Sequence, residues 1–557
     1  MRYPKEEIES YRRQAGDLEN EVIDEWRAGA MTRLELFQRG SVLGMSLPLL
    51  GLLAGPAERL FAGPQSVGGR LGGTMRIGHI TIDGSLEPPL LQSLGALGVS
   101  HLAGEQLIYA DKNAVVRPLL ATSWKASNEA QRWTFKLRKN VKFHDGQRMT
   151  ADDVVATFKI LLSKDSQALQ AYKGILRRVR KVDNSTVAFD LVNPNGLFPY
   201  LLGQMVYQAV ILPRSYRLPS DITKPGEWTS KMNGTGPFML KENRGPAGLT
   251  FQANPNYWGG KPSIDTVVIE PLDDQARVTG LKSGQLDLAT QITYQGAQQL
   301  AGSANVLPIR SANHRYVNMN VTVEPFKDPR VRQAFALALN RPGITQGLWG
   351  KYGEIGNDSP LWPGYPYTSH SVPQRHQDIA KAKALLRAAG KENLKVTLTC
   401  YRSFEMPDYA QRIAQALKQI GVDCTVKVYT STQYFDGVSF GAAGKLAPWL
   451  ATDFGIVDYG GRPVPITYFN AALRKGGVWN AARYSSPKFE RLVNAFYAAP
   501  NLAGQKKYAA DIQRLLLKDT PVIYAYFYNF IAASSKKVHG YVPDGMGWIN
   551  LRKVTIG

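Results

Sequence analysis

The sequence predicts a mixed α/β (α+β) protein built from two or three lobes. Three observations carry this. The chain has 557 residues, beyond the size at which one hydrophobic core stops growing. Short apolar stretches separated by Gly, Pro and Asn run through its first half and read as strands. Helical periodicity dominates later. A hydrophobic content of 44% and a charged content of 20% are globular values and exclude wholesale disorder.

The amino terminus comes first. Residues 1–31 are polar and charged. Arg33 and Arg39 then precede an apolar, Gly-rich run over 41–54, followed by small residues at 61–63. That order is a charged region, a hydrophobic region and a processing region. The run is too short for a comfortable membrane span. TRLELFQRGSVLG resembles a twin-arginine export signal with Leu34 where the second arginine would stand, so the route stays open. No Cys lies nearby, which excludes a lipoprotein. Residues 1–71 are therefore expected to be an export signal and extension of a periplasmic or extracytoplasmic protein; a buried apolar helix is the other reading of the run.

Beyond Gly73 the elements follow in order. TMRIGHITI (74–82), RWTFKL (132–137) and TVAFDL (186–191) read as strands. Helices are expected over 329–339, 378–389, 407–420 and 486–499. The second has Asp378 as N-cap and ends at Gly390. Strands over 395–401 and 422–429 flank the third. They carry Cys400 and Cys424, the only two cysteines. In neighbouring parallel strands these would lie about 16 Å apart, far beyond the ~7 Å limit for a bridge, so two free thiols are expected.

The formal net charge is +22. Residues 1–63 carry eight basic and ten acidic side chains, so the basic character belongs to the body. Its longest basic cluster is short (Arg177, Arg178, Arg180, Lys181). A nucleic-acid site would concentrate Lys and Arg on one element, so no nucleic-acid partner is expected.

The stretch NVKFHDGQRMTADDVVATF (140–158) gathers His144, Asp145, Asp152 and Asp153 within ten residues. A metal would need ligands on one helical face or in a tight loop. Each acid has a structural use instead. Asp145-Gly146 is a turn after a strand-like 140–143. Thr150 and Asp153 form a capping arrangement, and Asp152 and Asp153 sit where the helix dipole favours negative charge. Other enzyme signatures fail on context. Gly437 to Gly441 spells G-x-S-x-G without a preceding buried strand. Asp453-Phe454-Gly455 lacks the other kinase segments. Neither HExxH nor a P-loop occurs, and the seven histidines show no metal spacing. No catalysis, cofactor or metal is expected.

Four ordered segments carry a resemblance. They are LATSWKASNEAQRWTFKLRKNVKFHDGQRMTADDVVATF from Leu120; NGTGPFMLKE from Asn233 with NPNYWGGKPSIDTVVIEPLDDQARVTGLKSGQLDL from Asn254; FKDPRVRQAFALALNR from Phe326; and VDYGGRPVPITYF from Val457 with YSSPKFERLV from Tyr484. Together they span most of 72–550 and resemble the family 5 extracellular solute-binding proteins, the peptide, nickel and opine receptors of ABC importers. The resemblance implies a two-lobed clam with an extra third domain, closing on its ligand by a hinge and docking on permease subunits in the membrane. It implies a first lobe at 72–112, 234–315 and 528–557, an extra domain at 113–233 and a second lobe at 316–527, in a protein expected to be a monomer.

The resemblance also implies a site. In peptide-binding members an aspartate in a Trp-x-x-Asp-Tyr-like segment holds the peptide ammonium, and Asp458 matches it. Arg462 is placed either to neutralise Asp458, as a loop salt bridge, or to hold a ligand carboxylate. Phe454, Tyr459, Tyr401 and Trp449 are the candidate cleft aromatics, each also a candidate for core. A peptide or other amine-bearing ligand is favoured and nickel disfavoured. The alternative function is an exported binding protein with a sensor or chaperone role not coupled to transport.

Overall fold

The structure, a computed structural model, describes residues 5–54, 72–440, 444–499 and 501–557. The expected processing region at 61–63 and Gly441 of the G-x-S-x-G segment lie outside the described residues.

The backbone of the molecule is one large sheet. Its strands run, in spatial order, Asp423–Tyr429, Lys395–Tyr401, Phe454–Tyr459, Asn305–Met319, Tyr526–Ser534, Leu288–Ala289, Thr74–His79, Thr266–Pro271, Leu249–Ala253 and Phe238–Asn243. Sequence-distant strands are thus neighbours, as α/β crossovers require. The two central strands are the longest, at 15 and 9 residues. Asn305 to Ile309 pair with Ser534 to Phe530, and the register then shifts between Ile309 and Asn313. Beyond the shift His314 to Met319 pair with Tyr459 to Phe454. One continuous strand therefore belongs to both halves of the sheet, and its irregular point is where the halves meet.

A separate antiparallel sheet orders Ala121–Ser127, Arg132–Leu137, Thr186–Leu191 and Leu176–Asp183. Alternation sets its two faces. Trp133, Phe135 and Phe189 point inward and are fully buried, and Phe158 of the helix Ala151–Leu161 packs edge-on to Phe189. That helix begins as its sequence dictates. Thr150 donates its N–H to Asp153 Oδ2 at 2.7 Å, and Asp153 Oδ1 accepts the Arg214 N–H at 2.8 Å. His144 faces the carbonyls of Met232 and Gly236, and Asp152 pairs with Lys181. The acidic stretch is a turn and a helix start. Residues 140–143, expected as strand-like, contribute only an isolated bridge from Lys142 to Arg148, because the chain turns at Gly146 with φ of 89°.

Other expected elements appear with small shifts: the helices Pro329–Leu337, Ile379–Ala388, Met406–Lys418 and Pro487–Ala498. Asp328 caps the first of these, with Pro329 at its first turn. Lys395–Tyr401 and Asp423–Tyr429 are parallel neighbours, Cys400 lies opposite Val428 rather than Cys424, and both thiols are free.

The amino-terminal segment folds into the helices Lys5–Arg12, Asp17–Arg27, Arg33–Val42 and Leu47–Ala54. Thr32 and Glu35 close a reciprocal capping box. The apolar run read as the core of an export signal occupies the end of the third helix and the fourth. It lies packed against the body, with Val42, Leu50 and Leu53 buried. No helix among the described residues is long and apolar enough to cross a membrane.

Candidate functional site

The strand Phe454–Tyr459 places Asp458 directly across from Arg315. That pairing decides the carboxylate's surroundings. Asp458 Oδ1 accepts from Arg315 Nη1 and, at 2.8 Å, from the Tyr528 hydroxyl. Arg315 also grips Glu405 with both arms, Nε to Oε1 and Nη2 to Oε2, each at 2.8 Å. Tyr526 donates to Glu405 Oε1 at 2.7 Å. The Arg315 guanidinium is wholly buried and lies over the Tyr528 ring. Burial works against its charge, but Asp458 and Glu405 outweigh that and hold its pKa well above the ordinary arginine value.

The group of Arg315, Glu405 and Asp458 carries two negative charges and one positive. One negative charge is left over. Asp458 Oδ2 accepts no hydrogen bond among the described residues, and the Asp458 side chain is the most accessible of the three at 8%. A cation is the complement such an arrangement lacks.

Arg462 does not pair with Asp458; Arg315 has taken that role. The expected loop salt bridge is therefore replaced by a buried triad that reaches across two other segments. Arg462 is itself 4% exposed. Its Nη1 donates to Gly460 O at 2.9 Å and its Nη2 to the Tyr207 hydroxyl. Its Nε is buried without a partner. The guanidinium lies among the rings of Tyr207, Tyr468 and Trp479, with no carboxylate in ion-pair reach among the described residues. A buried cation so placed is costly until an anion reaches it. Gly461 makes the turn possible: a Cβ there would stand 2.9 Å from the Asn313 nitrogen.

Tyr207 comes from the region of the four-stranded sheet, so the Arg462–Tyr207 bond crosses a seam between two parts of the molecule. Burial raises the Tyr207 pKa, with Arg462 opposing and Asp458 adding to the shift; the hydroxyl thus feels both charged groups. A second cross-link joins Ser431 Oγ to Asp83 Oδ2 at 3.3 Å. Beside Arg462 the seam holds a cavity of only about 20 Å³, lined by Gln170, Tyr207, Gln208, Asn470 and Trp479 among others. That is room for a water and no more.

The candidate aromatics are all buried. Tyr401 stacks on Tyr434 and meets Phe435 edge-on, and Trp449 approaches Phe435 from another side. These two pack with Phe435 and are themselves buried. Phe454 packs between Phe326 and Phe335 and is 1% exposed. Tyr459 is enclosed by His314, Tyr316 and Tyr468. The two lie on opposite faces of their strand, and both faces are covered. The sequence reading missed Arg315, Glu405, Tyr528 and Tyr207. Arg315 lies 90 residues from Glu405 and 143 from Asp458, and no local spacing joins them.

Comparison with known proteins follows this geometry. The model of the bacterial extracellular solute-binding proteins, family 5 (middle region), matches residues 115–476. The oligopeptide-binding protein AppA of Bacillus subtilis (strain 168) is 26% identical over 510 residues, covering 84% of this chain and 89% of its own. The dipeptide-binding protein of Escherichia coli (strain K12) is 26% identical over 480 residues, covering 79% and 86%. The solved structure of the Bacillus subtilis AppA in complex with a nonapeptide superposes with a TM-score of 0.77 at 22% identity, over 88% of this chain and 100% of that one; at that identity it speaks to the fold. The sheet, the seam and the matched segments agree: the chain belongs to family 5 of the bacterial extracellular solute-binding proteins, the receptors of ABC importers.

Proposed function

We propose that the ligand is a peptide or another amine-bearing zwitterion held in the seam between lobes. The observation that carries this is the pair of unmet charges. The Asp458 group has one negative charge too many, and Arg462 is a buried cation without a carboxylate. A ligand ammonium meets Asp458 Oδ2 in a charge-assisted bond, and a ligand carboxylate meets Arg462. Tyr401 and Trp449 offer an apolar wall to a side chain. The names of the relatives, which bind oligopeptides and dipeptides, support the same class.

The lobes in this reading are 72–112 with 234–315 and 528–557, and 316–527, with 113–233 as the extra domain. Ligand contacts available only when the seam is shut drive closure. The receptor acts as a monomer, without catalysis, outside the cytoplasm, sent there by its amino-terminal segment, and hands its ligand to permease subunits.

Native mass spectrometry of protein purified without denaturation tests this. A small zwitterion should remain bound, be lost in Asp458→Ala and be weakened in Arg462→Met. A bound molecule indifferent to both changes removes these residues from the site. A bound molecule with neither amine nor carboxylate overturns the ligand class.

A further inference from the structure

The amino-terminal helices touch two parts of the molecule that a hinge would have to separate. On one side they meet the region of the four-stranded sheet. Trp124 Nε1 donates to Val42 O at 3.0 Å, Val116 N to Ser41 Oγ at 2.9 Å, and Gln38 Nε2 to Asn113 O at 2.6 Å. The turn after the third helix fits this surface closely. Gly44 has φ of 89°, and a Cβ on it would collide with the Trp124 carbonyl oxygen. On the other side they meet the helix Leu502–Asp519. Glu25 accepts the N–H of Leu502, in that helix's first turn, and Glu21 accepts from its N-cap Asn501, both at 3.1 Å. Two carboxylates thus sit at a helix amino terminus, where the dipole favours them. Lys506 adds an ion pair to Glu35.

Between these anchors the helices roof a cavity of about 560 Å³. Its walls include Leu43 of the roof, Leu197 and Tyr200 of one side, and Tyr367, Val464 and Tyr497 of the other. Val464 is two residues from Arg462, so the cavity continues the seam described above. The Tyr367 hydroxyl is buried beside it without a partner.

We infer that residues 5–54, while attached, are a strap that holds the seam shut and restricts ligand entry, and that the body surface beneath them is its docking face. This rests on the receptor reading in one respect only, that the seam is where ligand enters. Opening the seam breaks the Trp124, Val116 and Gln38 contacts or the Glu21, Glu25 and Glu35 contacts, because helices packed on one another and joined by the Arg39–Glu25 ion pair make both sets. Covalent attachment keeps the strap at high effective concentration. A cut between residues 55 and 71 removes that advantage, so processing of the leader frees the hinge.

The test uses the full chain and two variants, Gly44→Val, which forbids the close approach to Trp124, and Phe37→Asp, which charges a fully buried position. Hydrogen exchange is followed together with stopped-flow binding of the tripeptide trialanine. In the unaltered chain the amides of Arg33–Val42 should be as protected as those of the strand Asn305–Met319. In either variant they should lose protection. Exchange over 197–208 and 462–471 should then rise about tenfold or more, the central strands should stay unchanged, and trialanine should associate roughly tenfold faster, as expected when the open state becomes more populated. Free exchange of Arg33–Val42 in the unaltered chain overturns the strap. So does release of the helices with no change at the seam. If trialanine binds none of the three proteins, it is not this receptor's ligand, and seam exchange alone decides the strap.

Discussion

Arg315 shows what a single buried residue decides. It neutralises Glu405 with a bidentate grip and shares its remaining arm between Asp458 and Tyr528. Replacing it leaves two carboxylates buried side by side without a counter-charge, which typically costs about 3–5 kcal/mol. Arg315→Met should lower the free energy of urea unfolding by that amount, whereas Asp458→Asn, which leaves Arg315 paired with Glu405, should cost far less. His314 supplies a pH test at the same scale. It sits among Tyr459, Tyr468, Tyr524 and Phe527, and burial pushes its pKa down from 6.5 to about 3. Burial likewise lowers His79 to about 4. Below pH 6.5 the unfolded chain takes up protons that the fold refuses. The stability these residues contribute is therefore present above that pH and lost as pH falls toward 4 and 3. Each residue should remove roughly 1.4 kcal/mol per pH unit below its unfolded value. Urea titrations between pH 7 and 4.5 should show this slope, and His314→Phe should flatten it by about one proton's worth.

Elements were legible where their signals are local. The strands Arg132–Leu137 and Thr186–Leu191 appear with the bounds read from sequence, the first alternating cleanly and the second buried almost throughout. The helix Ala151–Leu161 announces itself through Thr150 and Asp153. Because Asp153 is fully buried and accepts two backbone N–H groups, Asp153→Ala should cost about 2 kcal/mol through the lost cap and the donors left unpaired. Thermal or urea unfolding measures that cost. Ligand affinity should not change, which separates a cap from a binding carboxylate. What was not legible is non-local. Asp458 was singled out by its motif, but the residues grouped with it were not, since Arg315 reaches it through strand order in the large sheet and Glu405 comes from the start of a distant helix. Phe454 and Tyr459 carry the same apolar signature as Tyr401 and Trp449. In the structure all four are buried in one apolar cluster, with different neighbours that no local pattern reveals. The apolar run near residue 45 is ambiguous for the same reason. Composition gives its apolarity but cannot distinguish a segment awaiting a membrane from one lying on Trp124.

At the scale of the whole molecule the question is what sets the balance between shut and open. The two central strands run through both halves of the sheet, and the register shift between Ile309 and Asn313 gives them a point at which to bend without losing the ladder on either side. Few polar links cross the seam to oppose bending. One is the bond from Arg462 to Tyr207, and it helps satisfy a buried guanidinium that no carboxylate reaches among the described residues. Removing the hydroxyl leaves a buried charged donor unpaired, a loss of about 1.5–3 kcal/mol. Opening the seam lets water repay it. Tyr207→Phe should therefore shift the unliganded population toward open by roughly tenfold or more while leaving each half folded. Small-angle scattering should record a larger radius of gyration for the unliganded variant. A saturating zwitterionic ligand should restore the compact value, because its carboxylate supplies the partner that Arg462 lost. If the variant stays as compact as the parent without ligand, the Arg462–Tyr207 bond does not set the hinge, and closure must be assigned to the apolar contacts of the seam.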